Sequence, residues 1–112
     1  MKQTARLREL IKSKEILVAP GAFDALSAKL IEAVGFEAVY MTGFGTAASI
    51  FGVPDIGLIT MTEMVENAKR ISDAVRIPVI ADADTGYGNH LNVMRTMEEY
   101  EKARYAPCCM SA

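Results

Sequence analysis

A chain of 112 residues, 51% of them hydrophobic, has the length of one domain and enough apolar material for a buried core, which excludes a disordered segment. The formal charge of −2, with Lys and Arg dispersed, gives no electrostatic footprint for a nucleic-acid partner. No apolar run approaches the ~20 residues of a membrane span, and Met1 to Arg6 lacks the apolar stretch of a signal peptide, so the expectation is a cytoplasmic protein without membrane contact.

Thr4 to Lys12 reads as a short helix with Leu7, Leu10 and Ile11 on its apolar side. Ile16 to Ala19 is a compact apolar run ended by Pro20-Gly21, the pattern of a buried strand and a turn. Phe23 to Val34 has helical spacing, with Phe23, Leu26, Leu30 and Val34 near one stripe, Asp24 placed to cap it and Gly35 to stop it. Ala38 to Thr42 is a second strand ending in Gly43-Phe44-Gly45. An irregular stretch punctuated by Gly52, Pro54 and Gly57 follows. Thr60 and Glu63 form a capping box ahead of a helix whose Met64, Ala68, Ile71 and Val75 share one face. Pro78 to Ala81 is the third strand, and Asn92 is placed to cap a last helix through Val93, Met97 and Tyr100.

Strand and helix alternate, which predicts a parallel sheet joined by right-handed crossovers. The polar and glycine-rich residues sit at the strands' C-terminal ends, where both a (β/α)₈ barrel and a doubly wound sheet place their chemistry. A barrel takes ~250 residues, so as a barrel the chain holds less than half, with a hydrophobic strand edge unpaired.

Asp82 and Asp84 close the third strand and open a glycine turn, Thr85-Gly-Tyr-Gly88. A strand repeats every two residues, so both carboxylates should leave on one face. Such paired charges call for compensation, and a hard cation such as Mg²⁺ with oxygen ligands and retained waters is the natural source. The plainer alternative is an Asp-rich turn bonded to its own backbone. Other candidates carry little. Cys108 and Cys109 are adjacent, with no second pair to build a zinc site, and His90 reads as a solvent-facing loop residue. Tyr40 and Tyr87 read as packing residues near the rim, and the seven methionines as core filling.

Four ordered motifs give these residues a family likeness: Val18-Ala-Pro-Gly-Ala-Phe-Asp-Ala-Leu-Ser-Ala28, Tyr40-Met-Thr-Gly43, Gly52-Val-Pro-Asp55 and Ala81-Asp-Ala-Asp-Thr-Gly-Tyr-Gly88. From Leu10 to Ala103 the chain resembles the isocitrate lyase/phosphoenolpyruvate mutase superfamily. The Met41-Thr-Gly-Phe-Gly-Thr46 form is most like its phosphonomutase, oxaloacetate decarboxylase and methylisocitrate or dimethylmalate lyase branches. The resemblance implies a (β/α)₈ barrel dependent on Mg²⁺, or Mn²⁺, that cleaves or forms C–C or P–C bonds of small 2-oxo or 2-hydroxy acids through an enolate. It implies Asp82 as the residue nearest the metal, with Asp84 and Asp55 holding the ion through its waters. It also implies that Thr42, Gly43 and Phe44 bind the substrate carboxylate, although many relatives carry serine at the first position and a small residue at the third. The intact parent is expected to be a homo-oligomer.

After Ala103 the family continues with a glycine and a fourth strand, whereas Arg104 to Ala112 contains Pro107 and no apolar run, a poor strand. The expectation is therefore an N-terminal barrel piece over residues 1–103 and a divergent tail over 104–112, the scar of a frameshift or truncation. The later catalytic groups and lid are absent from such a piece, so no catalytic residue is assigned and the fragment is expected to be inactive. The alternative is a non-catalytic, self-associating binding module that uses its open sheet edge.

Overall fold

The structure is a computed structural model that describes residues 3–13, 15–103 and 106–109. Helix α1 (Gln3–Lys12) leads into β1 (Gly21–Ala22), α2 (Ala25–Val34), β2 (Val39–Met41) and the short α3 (Gly43–Thr46). A π-helical turn, Ala47–Phe51, continues α3; α4 (Met61–Ala74), β3 (Val79–Asp82), α5 (His90–Lys102) and β4 (Ala106–Cys109) complete the order. The four strands form one sheet in the order β1-β2-β3-β4, every pair parallel. The alternation of strand and helix thus yields the expected parallel α/β unit.

Two helices start as their sequences dictate. The Asp24 carboxylate accepts the Ser27 N–H at 2.7 Å while Ser27 Oγ accepts the Asp24 N–H, and Gly35 ends α2 with φ 109°. Thr60 and Glu63 cap α4 in the same reciprocal way. The spacing predicts Asn92 as the cap of the last helix, but α5 begins at His90 and Asn89 caps it, with Asn92 returning the bond to the Asn89 N–H. Gly88, at φ 144°, breaks the chain immediately before Asn89, so the first amide-bearing side chain after the break becomes the cap. His90 is exposed, now on the first turn of a helix rather than in a loop.

Three further expectations are corrected. Ile16 to Ala19 is not the first strand: sheet pairing begins at Gly21, opposite Tyr40, and Ile16 is 92% exposed. This is an edge of the sheet, and an edge strand is held from one side only, so pairing extends no further than β2 can reach. The stretch after Gly43 is not irregular at its start, because Thr42 caps a helix that runs to Phe51 and ends at Gly52 in the left-handed region, φ 62°. Pro107 does not prevent a strand: β4 lies on the other edge, where proline's missing N–H is tolerated.

Burial alternates along the central strands. Val39, Met41, Val79 and Ala81 are buried against Met64, Ala68 and Ile71 of α4 and Tyr100 of α5. Tyr40, Ile80 and Asp82 face the other way and are only half-buried. No helix among the described residues is long and apolar enough to cross a membrane. The turn between α4 and β3 is tied to α2 by one side chain, Glu32, whose Oε2 accepts the N–H groups of Arg76 at 2.7 Å and Ile77 at 3.1 Å. Glu32→Ala is predicted to lower unfolding free energy in urea by about 1–2 kcal/mol, and Glu32→Gln, which keeps an acceptor, by less. Equal stability of all three chains would show that the clamp contributes nothing.

Candidate active site

The carboxyl ends of β2 and β3 open into a small cleft continuous with solvent. Gly43 follows β2, Asp82 ends β3, Asp84 and Tyr87 come from the turn after it, and Asp55 comes from the loop ahead of α4. Ala47, Leu58, Ile59 and Met64 supply an apolar wall. All three sequence-derived metal candidates, Asp55, Asp82 and Asp84, therefore share one cavity, and Gly43 of the carboxylate-binding set joins them. Thr42 stands beside the cleft with its hydroxyl accepting the Gly45 N–H at 3.1 Å, and the Phe44 side chain is 65% exposed, outside the lining.

The two β3 carboxylates reach the cleft by a different route from simple strand alternation. Asp82 is the last residue of β3, whereas Asp84 lies in the turn beyond it with φ 50°. Asp82 Oδ1 accepts the Asp84 N–H at 2.8 Å, the Asp-turn bond of the plainer reading, and both residues line the cleft without strand alternation placing them there. Asp82 Oδ2 accepts the Tyr40 hydroxyl at 3.3 Å. A Cβ on Gly43 would stand 2.5 Å from that same oxygen, so glycine lets the backbone after β2 approach the carboxylate without displacing it.

Helix α5 holds the acidic turn from behind. Tyr100, fully buried, donates its hydroxyl to the Asp82 carbonyl at 2.8 Å, and Thr96, four residues earlier, donates to the Gly86 carbonyl at 2.7 Å. Tyr87 sits at φ 62°, uncommon for a bulky residue and a form of strain that clusters at functional sites. Sequence reading assigned no positioning role to Thr96 or to Asn67 on α4; the available signal was a polar side chain on an otherwise apolar helical stripe.

The cleft is strongly negative. Among the described residues, no Lys, Arg or His lines it. Burial, followed by the charges of Asp84, Asp82 and Asp55, pushes the Tyr87 phenol up to about 12, against the opposing effect of a hydrogen bond with Tyr100. Among the described residues, no three His, Cys, Asp or Glu side chains converge closely enough to cage a metal ion. Mg²⁺ needs no such cage, since it usually keeps several waters and takes one or two protein carboxylates. Asp82 and Asp84, with Asp55 lining the same cavity, are of the number and chemistry that this hydrated mode of binding takes.

A parallel α/β unit with an acidic site at its strand ends is the arrangement of enzymes built from β/α repeats. The sequence profile described as phosphoenolpyruvate phosphomutase matches residues 7–111, and the chain belongs to that family, within the PEP mutase/isocitrate lyase superfamily. The match runs past Ala103, where the resemblance read from the sequence ends. The chain is 59% identical over 106 residues to a 2,3-dimethylmalate lyase of Eubacterium barkeri, covering 95% of this chain and 37% of that protein. A crystal structure of a 2,3-dimethylmalate lyase superposes with a TM-score of 0.86 at 44% identity, over 94% of this chain and 37% of the other. A phosphonopyruvate hydrolase complexed with oxalate and Mg²⁺ superposes with a TM-score of 0.89 at 37% identity, again over 94% and 37% of the two chains. The chain thus spans little more than a third of the relatives' length.

Because Tyr87 ionises less readily folded than unfolded, its stabilising contribution is complete below pH 10.0 and is lost as pH rises through about 12. Wild-type stability should therefore fall more steeply than that of Tyr87→Phe across this window, and Asp84→Asn should lower the pH at which Tyr87 forms tyrosinate. Parallel alkaline unfolding curves for wild type and Tyr87→Phe would contradict the placement of the phenol among the carboxylates.

Proposed function

We propose that the chain is the N-terminal part of a Mg²⁺-dependent (β/α)₈ lyase or phosphonomutase that breaks a C–C or P–C bond of a small 2-oxo or 2-hydroxy acid through an enolate. The observation that carries this reading is the shared cavity of Asp55, Asp82, Asp84 and Gly43 at the strand ends. The Mg²⁺ and oxalate bound to the related phosphonopyruvate hydrolase, and the lyase activity named for the dimethylmalate relative, support it.

In this reading Asp82 is the carboxylate nearest the ion, kept in place by the Tyr40 hydroxyl and the Asp84 N–H. Asp84 and Asp55 accept hydrogen bonds from the waters the ion retains. Mg²⁺ (or Mn²⁺) supplies Lewis-acid stabilisation of negative charge on a substrate oxygen, a contribution of several kcal/mol. The N–H groups of Gly43 and Phe44 open a helical turn and have no acceptor within it, which leaves them for a substrate carboxylate, with the Thr42 hydroxyl beside them. Among the described residues no His, Lys or Cys lines the cleft and its carboxylates are given to the ion, so in this reading the chain alone binds and does not turn over, and the intact parent is a homo-oligomer. Loss of groups that act as a unit lowers kcat by orders of magnitude.

A second reading, self-association through the sheet edge, is favoured by one observation. Helix α2 exposes Leu26, Leu30 and Val34, the segment before β1 exposes Ile16 and Val18, and α5 exposes Leu91 and Met94, whereas the central α4 exposes Glu66, Lys69, Arg70 and Asp73. The apolar flanks lie towards the edges of the sheet, where further strands and helices would cover them.

Calorimetric titration should find Mg²⁺ binding that weakens at least about tenfold in Asp82→Ala. Equal affinity in the two chains would remove Asp82 from the site. In the same preparations, oxaloacetate and 2-methylisocitrate should remain unconverted, and turnover at ordinary enzyme rates would refute the fragment reading. Sedimentation would separate a defined dimer, favouring the module, from heterogeneous association of an uncovered face.

A further inference from the structure

We infer that Asn67 is a positioning residue for the turn after β2, aiming the Gly43 N–H through Thr46; this rests on the carboxylate-binding role given to that turn above. Asn67 lies on the apolar stripe of α4 between Met64 and Ile71 and is 2% exposed. A carboxamide is retained at such a position only with its hydrogen bonds made. Its Nδ2 donates to the Phe23 carbonyl at 3.0 Å and to Thr46 Oγ1 at 3.1 Å. Thr46, fully buried, donates its single hydroxyl proton to the Thr42 carbonyl at 2.6 Å, which leaves its lone pairs for Asn67. Every donor and acceptor in the chain from α4 to Thr42 is thereby fixed in direction.

The consequence follows from peptide planarity. The Thr42 carbonyl and the Gly43 N–H belong to one peptide unit, and no cis bond occurs among the described residues, so the two groups point in opposite directions. Anchoring the carbonyl, which also accepts the Thr46 N–H at 3.1 Å, therefore sets where the Gly43 N–H aims. The turn has little other freedom. A Cβ at Gly43 would strike Asp82, and one at Gly45 would strike Thr42 and approach Phe23 Cβ at 3.2 Å. Asn67 links both walls, bonding the Phe23 carbonyl on one side and the Thr46–Thr42 relay on the other.

The test is oxalate titration of the ¹⁵N-labelled chain with saturating Mg²⁺, reading the Gly43 and Phe44 amide resonances, alongside Mg²⁺ titration alone and a thermal melt. Thr46→Val is nearly isosteric and lacks the hydroxyl; Thr46→Ser keeps it. The expected result is about tenfold weaker oxalate binding in Thr46→Val, Mg²⁺ affinity within about twofold of wild type, and recovery of oxalate binding in Thr46→Ser. Asn67→Ser, too short to span both acceptors, should match Thr46→Val and replaces it if that chain does not fold. Wild-type oxalate binding by the folded variant, or an equal fall in Mg²⁺ and oxalate affinity, would overturn the inference. A wild-type chain that binds Mg²⁺ but gives no oxalate response would instead overturn the carboxylate reading of the turn, and the inference with it.

Discussion

The site depends on how the Asp82 carboxylate is held. One oxygen receives the Asp84 N–H, the other the Tyr40 hydroxyl, and the backbone of Gly43 closes on it so tightly that a side chain there would displace the carboxylate. Each contact comes from a different part of the chain: the strand before, the turn after and the loop opposite. Behind them, Tyr100 and Thr96 of α5 fasten the same turn through its carbonyls. Carboxylates gathered in one cleft repel each other, and a hydrated cation is one source of the compensation that such a cluster calls for.

The sequence was legible wherever the signal is local. Asp24, Thr60 with Glu63, and Gly35 specify helix ends through contacts within three or four residues, and each occurs as read, Ser27 completing the Asp24 cap. The candidate carboxylates were legible as residues, but the path of Asp84 was not, because strand alternation ends at Asp82 and a left-handed backbone takes over. The first strand was misplaced for a non-local reason. An apolar run such as Ile16 to Ala19 becomes a strand only where a neighbour offers hydrogen bonds, and β2 begins to pair at Pro20 and Gly21. Pro107 misled in the opposite sense, since its cost depends on whether the strand lies inside the sheet or at its edge. Asn67 and Thr96 had no local signature beyond polarity on an apolar stripe, and their partners lie far away in sequence or behind a turn.

Parallel sheets are normally covered on both faces, and this one is not. Val39, Met41, Val79 and Ala81 are sealed beneath helices, while Tyr40, Ile80 and Asp82 are half-open on the other face. The apolar sides of α2 and α5 are exposed at the two flanks, and the relatives are nearly three times longer than the matched region, 37% of the dimethylmalate lyase being covered. The proposed barrel accounts for all of this with one assumption: further β/α units would turn the half-open face into an interior and place Asp82 at its mouth.

The most direct test of the central claim is paramagnetic broadening by substoichiometric Mn²⁺ in the NMR spectrum of the chain. The account predicts selective loss of the amide signals of Gly43, Asp55 and Asp82 through Tyr87, reversed by excess Mg²⁺. Broadening centred on the exposed acids of α4, Glu66 and Asp73, with the strand-end signals intact, would contradict it.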